Sequence, residues 1–183
     1  MRKTFIHFFT IADYEEEEKW LREKHNNGWK MVGFTLPCFY TFESCEPEDV
    51  IYRLDYRTDE QKDDYMQMLN DFGWEYFDEY LGWMYFRKNA SEALTEDEGE
   101  LFSDNESRTN FVSHVITTRY LPMVLLFFAC VLPNFTKILL EKEADIGNII
   151  LSAVFGILFI LNAILIIYCG IKLKKIKDKY KTE

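Results

Sequence analysis

The chain is poor in the residues that most chemistry requires. Its 183 residues hold 3 histidines and 4 cysteines. The cysteines are Cys38, Cys45, Cys130 and Cys169, and no CxxC or Cys/His spacing joins them. A zinc or similar centre needs several such ligands converging, so none is expected. No GxSxG, no phosphate-cradling glycine loop and no kinase-type motif occurs. His7 shares a strand face with Phe5 and Phe9, which suits a packing role. His25 lies near a helix end, where its charge would complement the dipole, and His114 has no partner at metal spacing. The acidic runs Glu15–Glu18 and Asp59–Asp64 read as solvated helix starts rather than paired catalytic acids. We therefore expect no enzyme, no metal and no cofactor.

Basic residues are scarce in the first part of the chain. Residues 1–111 carry 26 Asp and Glu against 12 Lys and Arg, a balance of −14. A phosphate backbone rewards the opposite sign, so nucleic acid is an unsuitable partner. Lysines gather instead at the C-terminus: Lys172, Lys174, Lys175, Lys177 and Lys179. They follow directly on an apolar run, where positive charge fixes the cytoplasmic side of a membrane protein.

Charge is missing altogether from the middle of two long runs, roughly Tyr120–Leu140 and Ile146–Ile171. Each has about 20 residues or more, enough to cross a hydrocarbon core of about 30 Å as a helix. The short link Glu141–Asp145 makes them a hairpin, with spans at 114–141 and 146–172 and a basic tail at 173–183. Both termini are then expected in the cytoplasm. The start of the chain lacks the apolar core of a signal peptide. A cytoplasmic setting also argues against a lasting Cys38–Cys45 disulfide. With no charge in mid-span, the hairpin reads as an anchor rather than a transport path.

What the first part does contain is a repeat. Shifted by 45 residues, Gly28-Trp29 falls on Gly73-Trp74, Trp20 on Tyr65 and Tyr40 on Tyr85. Each unit reads strand–helix–strand. Strands are expected at Thr4–Ile11, Cys38–Phe42, Val50–Tyr56 and Trp83–Lys88, where aromatic and β-branched residues gather. Helices are expected after the caps Asp13 and Thr58, with Glu16 and Gln61 as reciprocal partners. Gly28 and Gly73 stop those helices. The order β-α-β-β-α-β predicts an α+β, ferredoxin-like domain over residues 1–90, one four-stranded sheet with both helices on one side. Residues 91–113 read as an acidic linker leading into a juxtamembrane helix capped by Ser103 or Asp104. Leu101-Phe102 either belongs to that linker or folds back on the domain.

Three motifs occur in order: Asp71-Phe72-Gly73-Trp74-Glu75-Tyr76, Gly82-Trp83-Met84-Tyr85-Phe86-Arg87-Lys88 and Leu101-Phe102-Ser103-Asp104-Asn105-Glu106-Ser107. Together with Trp20-Leu21 and Gly28-Trp29 they resemble the bacterial DUF2812 proteins over residues 5–112. The resemblance carries no catalytic residues. It implies an accessory, regulatory role beside a small PadR-like transcription regulator.

Aromatic residues are abundant, at 17%. Most suit a core, but a ferredoxin-like sheet leaves one face bare. Ile6, Phe8, Met84 and Phe86 are expected on that face, as a patch for a partner, a ligand or a second copy. The function expected is a membrane-anchored binding module that docks a protein, such as a transcription regulator. The alternatives are a sensor for a small apolar ligand on that face, and an accessory subunit of a membrane transporter. Expected partners are the lipid bilayer and a protein; a homo-oligomer is compatible.

Overall fold

The computed structural model describes residues 1–57, 62–93, 95, 97–102, 104–133, 136 and 146–182. It divides into two compact units, Met1–Phe111 and Val112–Glu183. The expected caps Thr58 and Ser103, the partner Gln61 and the link Glu141–Asp145 lie outside the described residues.

The first unit runs β1 (Arg2–Ile6), α1 (Tyr14–Asn26), β2 (Trp29–Thr35), β3 (Phe39–Ser44), β4 (Val50–Tyr56), α2 (Lys62–Asp71), β5 (Glu75–Tyr80) and β6 (Trp83–Asn89). The four expected strands and both helices are present, and the two extra strands change the architecture. There are two three-stranded antiparallel sheets, ordered β1-β3-β2 and β4-β6-β5. The ferredoxin-like order is thus replaced by β-α-β-β, used twice. Within each sheet the outer strands run parallel with the last strand of the repeat between them.

The glycines behave as expected. Gly28 and Gly73 take φ of 80° and 83°, and Trp74 N–H returns to Leu69 O at 2.9 Å, closing the helix end. The Asp13 cap is different. Its carboxylate turns back to accept from Thr10 N and Oγ1 (2.8 and 2.6 Å) and makes no hydrogen bond into the first turn of α1.

Strand parity explains the layering. Phe5, Tyr40 and Phe42 share one face of the first sheet, and Trp20 of α1 packs edge-on against Tyr40 and Phe42. The opposite side of α1 meets the second sheet: His25 bonds Tyr52, and Tyr14 lies against Trp83. The other face of that sheet, with Ile51, Met84 and Phe86, packs with Trp74 and with Leu69 of α2. The layers are therefore sheet, helix, sheet, helix, and among the described residues the first sheet keeps one face without a helix.

Residues after β6 do not form a free tether. Ala90, Ala93 and Leu101 pack on the Ile51–Leu69–Trp74–Met84–Phe86 cluster. Arg53 pairs with Glu100 at 2.7 Å, and Phe102 stacks near Phe111 at 5.1 Å. Leu101-Phe102 thus folds back on the domain. Asp104 caps the next helix, accepting from Ser107 N at 2.6 Å.

A helix that begins in the first unit with α3 (Asn105–Val115) continues in the second through a π-helical stretch (Ile116–Tyr120), α4 (Leu121–Leu126) and a second π-helical stretch (Phe127–Val131). α5 then covers Ile146–Thr182. Two helices, Asn105–Val131 and Ala153–Lys181, are long and apolar enough to cross a membrane. They run antiparallel: Tyr120 Oη donates to Ile166 O at 3.2 Å, and Phe127 meets Phe159 at 5.1 Å. A Cβ at Gly170 would overlap the Tyr120 hydroxyl, so glycine allows this close approach.

Candidate functional site

The sheet–helix–sheet sandwich draws Glu17 and Glu18 of α1 into the interior and leaves Glu16 exposed. Glu17 is 6% exposed. Its Oε1 accepts from Tyr40 of the first sheet at 2.9 Å and from Tyr85 of the second at 2.8 Å. One carboxylate thus ties both sheets to the helix between them. Burial pushes its pKa up to about 7, against the pull of the two hydroxyls. Both tyrosines are pushed above their usual range by burial and by the same carboxylate. Beside it, Glu18 accepts from the Leu54 amide at 2.8 Å and lies 3.5 Å from Arg53. Burial raises it to about 8, with Arg53 and that amide opposing.

A second junction lies where the edge strands β2 and β5 meet. Asp78 Oδ2 accepts from Phe34 N at 2.8 Å. Arg87 donates to Met31 O at 3.1 Å and grips Glu75 with Nε and Nη2, with its guanidinium over the Phe77 ring. These groups are donors and acceptors already engaged with one another, a pattern of cohesion between repeats. His25 is likewise structural. Burial, with Arg87 and Lys30 nearby, lowers its pKa to about 4, so it is neutral and does not serve the helix dipole as a cation. His7 stacks on Trp20 at 4.8 Å.

The four residues expected to share a bare face are separated. Met84 and Phe86 are fully buried, because α2 covers their side of the second sheet. Ile6 and Phe8 are exposed, at 71% and 66%. The parity that set Met84 and Phe86 opposite Tyr85 was legible; the cover was not, because it depends on a second sheet and on α1 lying between the two. Around Ile6 the structure assembles a different set. Phe39 pairs with Ile6 across β1 and β3, and Leu36 of the adjoining hairpin is also exposed. Ile6, Phe8, Leu36 and Phe39 make an apolar tip at one end of the uncovered face. The rest of that face, with Arg2, Thr4, Thr41 and Glu43, is polar.

The helix stops remain structural: Trp74 is 2% exposed, and Trp29 meets Phe5 edge-on at 5.8 Å. Lys174, Lys175 and Lys179 are exposed on the last turns of α5, with Lys172 and Lys177 half-buried. Among the described residues no group of three or more His, Cys, Asp or Glu is placed to hold a metal, and none of the four cysteines is in a disulfide.

No curated protein and no solved structure matches the chain. Residues 13–126 match the family described as proteins of unknown function, DUF2812. That stretch holds α1, the second repeat, the segment folded back on it and the start of the first apolar helix. The chain belongs to the DUF2812 family.

Proposed function

We propose that the protein is a membrane-anchored, non-enzymatic binding module that docks a protein partner through the tip Ile6, Phe8, Leu36 and Phe39. The observation that carries this is the exposure of four large apolar side chains at the open end of the first sheet's uncovered face. Isolated apolar residues on a surface are ordinary, but a cluster on an acidic domain marks an interaction site. The two helices long and apolar enough to cross a membrane would be the anchor, and the lysines after the second favour a cytoplasmic domain with both termini on that side. The family resemblance nominates a PadR-like transcription regulator as the partner. The domain's negative balance suits a basic, DNA-binding protein.

The small-ligand reading is weaker. The face it required is divided between the surface and the core, and the interior polar groups already hold one another. The test is binding of the purified regulator to the full chain in detergent. We expect Phe8→Asp together with Phe39→Asp to abolish the complex, while Thr4→Asp on the same face leaves it. Retention of full affinity by the double variant removes the tip from the interface.

A further inference from the structure

We propose that the groove between the two apolar helices binds one anionic glycerophospholipid, its phosphate-bearing headgroup at Arg119 and an acyl chain along the first helix. The inference rests on these helices crossing a bilayer. The groove encloses about 420 Å³ and is lined by Thr118, Arg119, Pro122, Met123 and residues down to Val131, with Asn162 from the facing helix.

Its shape follows from the backbone. Pro122 has no N–H to donate to Thr118 O, and its ring crowds that carbonyl. The helix widens immediately before it: Leu121 N–H reaches Ile116 O, five residues back. A second such turn ends at Leu132, whose N–H reaches Phe127 O. π-turns of this kind are rare and concentrate at functional sites. Here they bracket the groove at both ends.

Its chemistry is graded. Arg119 and Thr118 stand at one end. Below them the wall is apolar through Met123, Leu126, Phe127 and Val131. From Arg119 to Val131 the rise is about 18 Å at about 1.5 Å per residue, the reach of an acyl chain. The Tyr120–Ile166 contact sets Arg119 beside the C-terminal part of α5, and the lysines from Lys172 onward follow within two turns. The charged end of the groove and the lysine array therefore occupy the same membrane face, where anionic headgroups are attracted. A guanidinium can hold a phosphate through two parallel N–H bonds, which a scattered lysine array cannot. A charged residue within an apolar helix marks a functional site by default.

The test uses the full chain purified in neutral detergent, with thermal unfolding followed on adding phosphatidylglycerol, phosphatidylcholine or free glycerol phosphate. We expect phosphatidylglycerol to raise the midpoint by about 3 °C more than phosphatidylcholine, and glycerol phosphate to do nothing. Arg119→Gln should erase the difference and Arg119→Lys should keep part of it, with both variants unfolding normally in phosphatidylcholine. Equal shifts from the two lipids overturn the proposal. So does a preference that survives in Arg119→Gln, which would assign it to the lysines, or an equal response to glycerol phosphate, which would make the site one for a free anion. A chain that stays monomeric in buffer without detergent instead removes the membrane reading beneath it.

Discussion

Glu17 lies in surroundings that oppose its ordinary ionised form. A carboxyl group that ionises near pH 4.5 in an open chain is held protonated to about pH 7 in the fold. Between these values the native state binds more protons than the unfolded one, so the native state loses stability as pH rises. The contribution is fully present below about pH 4.5 and gone above about pH 7. We expect the stability difference between the wild type and Glu17→Gln to change by about 3 kcal/mol between pH 4.5 and pH 8, in favour of the glutamine variant at the higher pH. Denaturant unfolding at several pH values measures it. A pH-independent difference would mean that folding does not shift the Glu17 carboxyl. Comparing the pair cancels the opposite trend from His25, whose lowered pKa adds stability above pH 6.5 that is lost as pH falls towards about 4. Gly170 gives a second test at this scale. Gly170→Leu would drive a side chain into the Tyr120 hydroxyl, and we expect a fall of several degrees in the unfolding midpoint of the detergent-solubilised chain. An unchanged midpoint would show that the two helices do not approach there.

At the scale of elements, α1 is the member on which both sheets depend. Leu21 is fully buried on it, whereas Met68 on α2 is 44% exposed. Leu21→Ala should cost about 2–5 kcal/mol, and Met68→Ala within about 0.5 kcal/mol of nothing. Equal costs in equilibrium unfolding would contradict the layering. The helices and four strands could be read from the sequence because their signals are local: glycine after the last turn, acidic first turns, alternation in Val50–Tyr56. β2 and β5 could not. Both are edge strands, and each carries a bulge, at Met31/Gly33 and at Tyr76/Asp78. A bulge shifts side-chain parity, so the alternation that announces a strand is broken in mid-course. Glu75-Tyr76-Phe77-Asp78-Glu79-Tyr80 is also half acidic, which dilutes the strand signal. Missing these two strands merged two sheets into one. With two sheets, Met84 and Phe86 face α2 and are buried, while Ile6 and Phe8 are exposed. Phe39 meets Ile6 through the β1–β3 register, which the sequence does not display.

Across the whole molecule the governing feature is segregation. Acidic charge fills the first unit, apolar side chains face outward from the helices of the second, and lysines close the chain. In water the outward residues Leu125, Phe128, Ile157, Ile164 and Ile167, each at least 57% exposed, would form a surface no soluble protein of this size keeps dry. In lipid they meet their natural solvent. The docking proposal follows from that arrangement, since a tip of exposed apolar residues acts on whatever lies near the membrane on the same side. The most direct measurement is thiol labelling of Ser91→Cys and Lys179→Cys, each in a chain with its four native cysteines replaced, in intact and then permeabilised cells. The account predicts that neither position reacts with a membrane-impermeant reagent until the cells are opened, and that the protein stays with the membranes through alkaline extraction. Labelling of either position in intact cells, or release by alkali, would contradict it.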